Sequence, residues 1–131
     1  MRYAQSLGLV IALAFILGCG SSSSQNLSGT WQLTLTSSAS PGATYTGTAT
    51  LTQSGNGITG TVSFINNPCA TSALITGTVS SNVSIQITEG GQVVTLTGTI
   101  NSAFSSMSGS YTSTPGGCTN GDLGSWTATT N

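Results

Sequence analysis

From Leu27 onward the chain alternates hydrophobic and hydroxylated residues with a period of two, the signature of strands that bury one face. One five-residue word recurs: hydrophobic, Ser/Thr, Gly, Ser/Thr, hydrophobic. It occurs at 27–31, 45–49, 58–62, 75–79, 96–100 and 107–111, with uneven spacing that rules out a solenoid repeat. The alternation predicts eight strands, at about 30–36, 44–53, 57–64, 73–79, 82–88, 92–100, 105–112 and 122–129, with no helix between them. Turn signals separate them, among them Ser54-Gly55-Asn56-Gly57, Ser80-Ser81-Asn82 and Glu89-Gly90-Gly91.

Within each word the Gly stands two positions from both hydrophobic residues, so it faces the core with them. Glycine weakens a strand interior, and its recurrence at inward positions fits strands that must bend and coil sharply. The opposite face is threonine and serine, for example Thr48, Thr50 and Thr52, or Thr95, Thr97 and Thr99. A branched Cβ that favours the strand and a hydroxyl that meets water suit an exposed pleat. Open sheets normally guard their edges with charges or proline, which this region almost lacks. The fold expected is therefore all-β, a small up-and-down antiparallel barrel of about eight strands, with a β-sandwich as the alternative. Short strands with hydroxylated outer faces do not suit a membrane-spanning barrel.

The first residues follow another pattern. After Met1-Arg2-Tyr3, an apolar run of 11 residues extends from Leu7 to Leu17. It is too short for the roughly 20 residues that span a bilayer as a helix, and it has the length of a signal-peptide core. The run ends in Ile16-Leu17-Gly18-Cys19, which resembles the lipobox of bacterial lipoproteins. That resemblance implies cleavage before Cys19, a diacylglycerol group on its thiol, and a further acyl chain such as palmitate on the new amino terminus. Two or three chains hold a protein stably to a membrane where one does not. Gly20 after the cysteine is similar to the pattern that sends such lipoproteins to the outer membrane, which gives a periplasmic or surface location in the cell envelope. Residues 21–26, rich in serine, lack apolar periodicity and read as a flexible spacer. The expected organisation is a helical signal peptide at 1–18, a lipid-anchored tether at 19–26 and a β-barrel domain at 27–131.

Charge narrows the function. The chain carries one basic residue, Arg2, two acidic residues, Glu89 and Asp122, and no histidine. Past Cys19 no basic side chain is left, which excludes nucleic-acid binding through phosphate neutralisation and a polybasic membrane patch. A serine nucleophile would lack its base, and general acid–base chemistry would lack histidine. Glu89 and Asp122 fall at one end of an up-and-down barrel, where two carboxylates could work as a glycosidase pair, but loop carboxylates are ordinarily solvated. The domain is therefore expected not to be an enzyme and to need no cofactor. With no histidine to join two cysteines, no metal site is expected.

Cys69 and Cys118 remain after Cys19 is acylated, an even pair in an oxidising compartment. Up-and-down topology puts their two loops at the same barrel end, so a disulfide between them is permitted. The same topology points the longer loops, around 37–43, 65–72 and 113–121, away from the tether, which makes them the expected recognition surface. The expected partners are the membrane, through the acyl chains on Cys19, and an envelope protein that meets the barrel as a structural or interaction module. Alternatively Trp31, Tyr45, Tyr111 and Trp126 line a cavity for a small apolar ligand inside the barrel, unless these aromatics simply fill the core. The opening Leu27-Ser28-Gly29-Thr30-Trp31 resembles the first strand of calycin barrels, the lipocalin and avidin-like group. That resemblance implies a Trp at the barrel floor and a ligand-carrying interior. The basic residue that lipocalins pair with this Trp has no counterpart here.

Overall fold

The computed structural model describes residues 26–131, so the expected signal peptide at 1–18 and all of the expected tether except Asn26 lie outside the described residues. Eight antiparallel strands follow one another in order: β1 (Gly29–Ser37), β2 (Thr44–Ser54), β3 (Gly57–Phe64), β4 (Ser72–Val79), β5 (Val83–Glu89), β6 (Gln92–Ile100), β7 (Ser106–Ser113) and β8 (Leu123–Thr130). Their ends fall within one residue of those predicted from the alternation. Each strand pairs with the next, and β8 returns to β1 in a register running from Trp31 opposite Thr130 to Ser37 opposite Gly124. The sheet closes into a barrel rather than splitting into a sandwich, and no strand is left with an open edge.

Alternation explains why these residues form these strands. In β5 every second residue (Val83, Ile85, Ile87 and Glu89) is buried, and Ser84, Gln86 and Thr88 are exposed. On the outer face threonines stand in cross-strand pairs, Thr34 beside Thr46 and Thr127, Thr50 beside Thr30 and Thr61, and Thr59 beside Thr52 and Thr76. Cross-strand pairs of β-branched residues stabilise a sheet by roughly 0.2–1 kcal/mol each, so the hydroxylated surface also contributes to the ladder.

The core runs the length of the barrel. At the end where β1 begins, Leu27 is wholly buried and its carbonyl accepts a 2.9 Å hydrogen bond from the Trp31 indole Nε1. The Leu27 N–H donates to the Gln53 side chain at 2.8 Å. The segment entering β1 thus folds across this end and closes it, packed with Trp31 in the same core as Ile58, Val83 and Met107. Trp126 fills the middle.

The inward glycines have a steric reason. Trp126 on β8 lies beside Gly109 on β7, which lies beside Gly98 on β6. The Trp126 Nε1 reaches past both to donate to the Thr97 carbonyl at 3.1 Å. The indole therefore spans the two glycine backbones, a place no side chain could share. A Cβ on Gly109 would stand 1.9 Å from the Thr97 carbonyl oxygen and 2.6 Å from the Gly98 Cα. The contact is with backbone, which cannot swing away. Gly109→Ala is expected to destabilise the barrel by about 3 kcal/mol, the upper range for overpacking, seen as a lower urea midpoint with unchanged slope. A midpoint equal to that of the unaltered protein would refute the close approach.

Candidate functional site

The loops at the other end form an open mouth: residues 38–43, 65–71, the Gly90-Gly91 turn, and 114–122. The buried polar side chains of the described residues (Ser37, Glu89, Gln92 and Ser113) all stand at this end of their strands. Burying a polar group is unfavourable unless it is hydrogen-bonded, and here each is used to hold a loop.

Glu89 and Gln92 flank the β5–β6 turn and pair directly across it. The Glu89 Oε2 accepts a 2.9 Å bond from the Asn67 Nδ2, and the Asn67 Oδ1 accepts the Cys69 N–H at 2.8 Å. That chain of contacts fixes the β3–β4 loop. Gln92 does the same for the β7–β8 loop: its Oε1 accepts the Thr119 N–H at 2.9 Å and the Thr119 hydroxyl at 2.8 Å, while its Nε2 donates to the Gly116 carbonyl. The two loops are then joined to each other by the Cys69–Cys118 disulfide, with Cα atoms 5.5 Å apart across a sequence separation of 49. The disulfide expected from topology is present, and with the Glu89/Gln92 hairpin it completes a triangular strap.

Asp122 organises the seam where β8 meets β1. Its Oδ1 accepts the Ser37 hydroxyl at 2.5 Å and the Leu123 N–H at 2.9 Å, and its Oδ2 accepts the Tyr111 hydroxyl at 2.7 Å. Burial, with the Asp122 carboxylate accepting its proton and repelling a phenolate, raises the Tyr111 hydroxyl well above its ordinary value. Both Asp122 oxygens are therefore committed to structure.

Inside this frame lies a cavity of about 380 Å³, floored by Leu35, Val94 and Tyr111 and walled by Tyr45, Asn67, Glu89, Asp122 and the disulfide. The structure divides the four aromatic candidates. Tyr45 and Tyr111 line the cavity, while Trp31 and Trp126, each 1% exposed, belong to the packed core and are not among its lining residues. Glu89 and Asp122 both line it, as their shared barrel end implied. Sequence reasoning did not single out Gln92, Asn67 or Ser37; a Gln directly after a Gly-Gly turn, where the strand alternation demands an inward residue, was the one signal available for Gln92.

Glu89 is only 4% exposed. Desolvation raises its carboxyl above the ordinary 4.5, and the Asn67 hydrogen bond pulls it partly back. Among the described residues no group of three His, Cys, Asp or Glu stands close enough to hold a metal ion. No protein-family model matches the chain, and neither does any curated protein.

Two outcomes follow. Replacing both Cys69 and Cys118 by Ser should lower stability by about 4 kcal/mol, the chain-entropy value for a loop of this length, measured by urea unfolding. A loss under about 1 kcal/mol on that scale would mean the strap holds without its covalent side. The second concerns Glu89. A carboxyl whose folded-state pKa lies above its unfolded value binds its proton more tightly when folded. Its stabilising contribution is complete below about pH 4.5 and is lost as pH rises through the raised value. The urea midpoint should thus fall as pH rises above the ordinary carboxyl value of 4.5, and Glu89→Gln should remove that fall. An identical pH slope in the variant would show that Glu89 is not the group responsible.

Proposed function

We propose that the chain is a non-catalytic lipoprotein of the bacterial cell envelope, anchored through acyl chains on Cys19, whose barrel works as an interaction module through its disulfide-strapped mouth. The observation that carries this reading is the axial arrangement. Asn26 to Ser28, where the described chain leaves the segment bearing Cys19, lie at the closed end, and the strapped loops lie at the opposite one. An anchor at Cys19 would hold the closed end toward the membrane and turn the mouth outward. Ile16-Leu17-Gly18-Cys19 and Gly20 support lipidation and the outer membrane as its destination.

The non-catalytic part rests on chemistry. The described residues contain no His, Lys or Arg, so no serine has a base to activate it. Of the two carboxylates, Asp122 is engaged at both oxygens, which leaves no free partner for Glu89 in a two-carboxylate mechanism.

A second reading, a calycin-like carrier of a small ligand, is favoured by one observation, the cavity between Tyr45 and Tyr111. It would differ from the form expected of that group in using the polar mouth instead of the barrel interior, where Trp31 and Trp126 already sit.

Cys19→Ser tests the anchor. Expressed in a bacterial host, the unaltered chain should sediment with membranes and carry acyl mass on a polypeptide beginning at residue 19. The variant should lose that mass and leave the membrane fraction. Equal membrane retention of the two would overturn the proposal.

A further inference from the structure

The mouth cavity holds an unusual electrostatic arrangement. Glu89 and Asp122 are the only ionisable acidic side chains of residues 26–131, apart from tyrosines and the disulfide cysteines, and no basic side chain exists there to neutralise them. Both line the mouth cavity. Elsewhere the described surface is uncharged, mostly threonine and serine, so the field of the domain's formal side-chain charges is focused on its mouth.

The two carboxylates are not equivalent. Asp122 receives three hydrogen bonds from Ser37, Tyr111 and the Leu123 N–H. Glu89 receives one, at Oε2 from Asn67, and its Oε1 has no donor among the described residues. Among the described residues no fully buried side-chain oxygen or nitrogen lacks a partner. The unpaired Oε1 therefore cannot be sealed in the wall; it is the part of this nearly buried carboxylate that reaches the cavity. A nearly buried acceptor with one oxygen unmatched, beside two tyrosine rings, is matched by a donor that also carries positive charge.

The chemistry of other occupants is less favourable. A neutral apolar molecule would strip water from an ionised carboxylate and return nothing for it. An anion would meet two like charges. Calcium takes six to eight oxygen ligands, and this wall offers one free carboxylate oxygen. An organic ammonium satisfies Glu89 through N–H donation or charge, and its apolar body suits Leu35, Val94 and the tyrosine faces. The cavity of about 380 Å³ is large enough for such a cation.

We propose that the mouth of the barrel is a binding site for a small organic cation, an amine with an apolar or aromatic body, whose ammonium group is received by Glu89 while Tyr45 and Tyr111 hold the rest. The proposal rests on the reading of the mouth as the recognition end, and it does not depend on the lipid anchor.

The test is calorimetric titration of the full chain in detergent micelles at pH 7.5 with phenethylammonium chloride and, separately, with phenethyl alcohol, its uncharged counterpart of nearly equal shape. The ammonium compound should bind at least about tenfold more tightly than the alcohol, the discrimination expected of one hydrogen bond to a charged group. Glu89→Gln should weaken the ammonium compound by a similar factor, about tenfold or more, because the amide can still accept from Asn67 but no longer carries charge. A thermal melt of the variant checks that it is folded, and the amine-against-alcohol comparison needs no variant at all. Equal affinity for the two compounds would overturn the cation site while leaving the mouth as a binding surface. Unchanged amine affinity in Glu89→Gln, or tighter binding of calcium chloride than of the amine, would overturn it as well. Binding of neither organic probe would remove the cation site and its cavity together.

Discussion

A strand buried on one side and wet on the other still has two lateral edges of unpaired N–H and C=O groups, and most sheets protect the outermost ones with charge, proline or a covering element. This sequence has almost no charge to spend on that protection. Closure removes the need: β8 pairs with β1 over seven residue pairs, and every strand has two hydrogen-bonded neighbours. The demand for closure then determines the rest. Eight strands leave an interior just wide enough to be filled by side chains, so the wall must curve tightly. An indole in mid-barrel is accommodated where the neighbouring strands beside it carry no side chains. Trp126 over Gly109 and Gly98 is that compromise, an aromatic ring matched to a glycine pair.

Closure also fixes where function can reside. The closed end is stopped by Leu27 and Trp31, and the interior above it by hydrophobic packing. The mouth has longer loops, and loops carry backbone polar groups that need partners. Inward side chains at the last strand positions supply them: Gln92 to Thr119 and Gly116, Glu89 to Asn67, and Asp122 to Ser37 and Tyr111. Polarity at the mouth is thus a structural requirement before it is anything else. The cavity exists because the strapped loops stand over the barrel end without filling it, and Glu89 is the one strut with an oxygen left over.

Strand positions were readable from the sequence because hydrophobic and hydroxylated residues alternate so strictly that a one-residue slip would turn every core residue outward. The pairing of Cys69 with Cys118 was readable for a related reason, since an even number of strands between two loops returns them to the same end. What period two cannot encode is height along the barrel axis. Trp31, Tyr45, Tyr111 and Trp126 all point inward, and the local pattern treats them alike. Their separation into a packed pair and a cavity-lining pair depends on how far each sits from the strand end after the strands are staggered into a barrel. Trp126 stands opposite Leu35 and Gly109 in the middle of the wall, whereas Tyr45 is the second residue of β2 at the mouth. The polar clamps were hidden for a different reason. Asn, Gln and Ser abound in this chain, and only the spatial meeting of loops distinguishes Asn67 or Ser37 from their many solvated counterparts.

The sparse charge of the domain gives its placement more weight than it would have in an ordinary protein. In a surface crowded with lysine and glutamate, a buried carboxylate would be one of many and could borrow a counter-ion from nearby. Among residues 26–131 no basic side chain exists to fold over and neutralise it. Burial raises the pKa of Glu89, so the domain carries an unfavourable desolvation that a glutamine at the same position, able to accept from Asn67 in the same way, would avoid. The strap therefore accounts for a polar residue at position 89 but not for a charged one. In the proposed reading the acid is kept because the partner of its second oxygen comes from outside the chain.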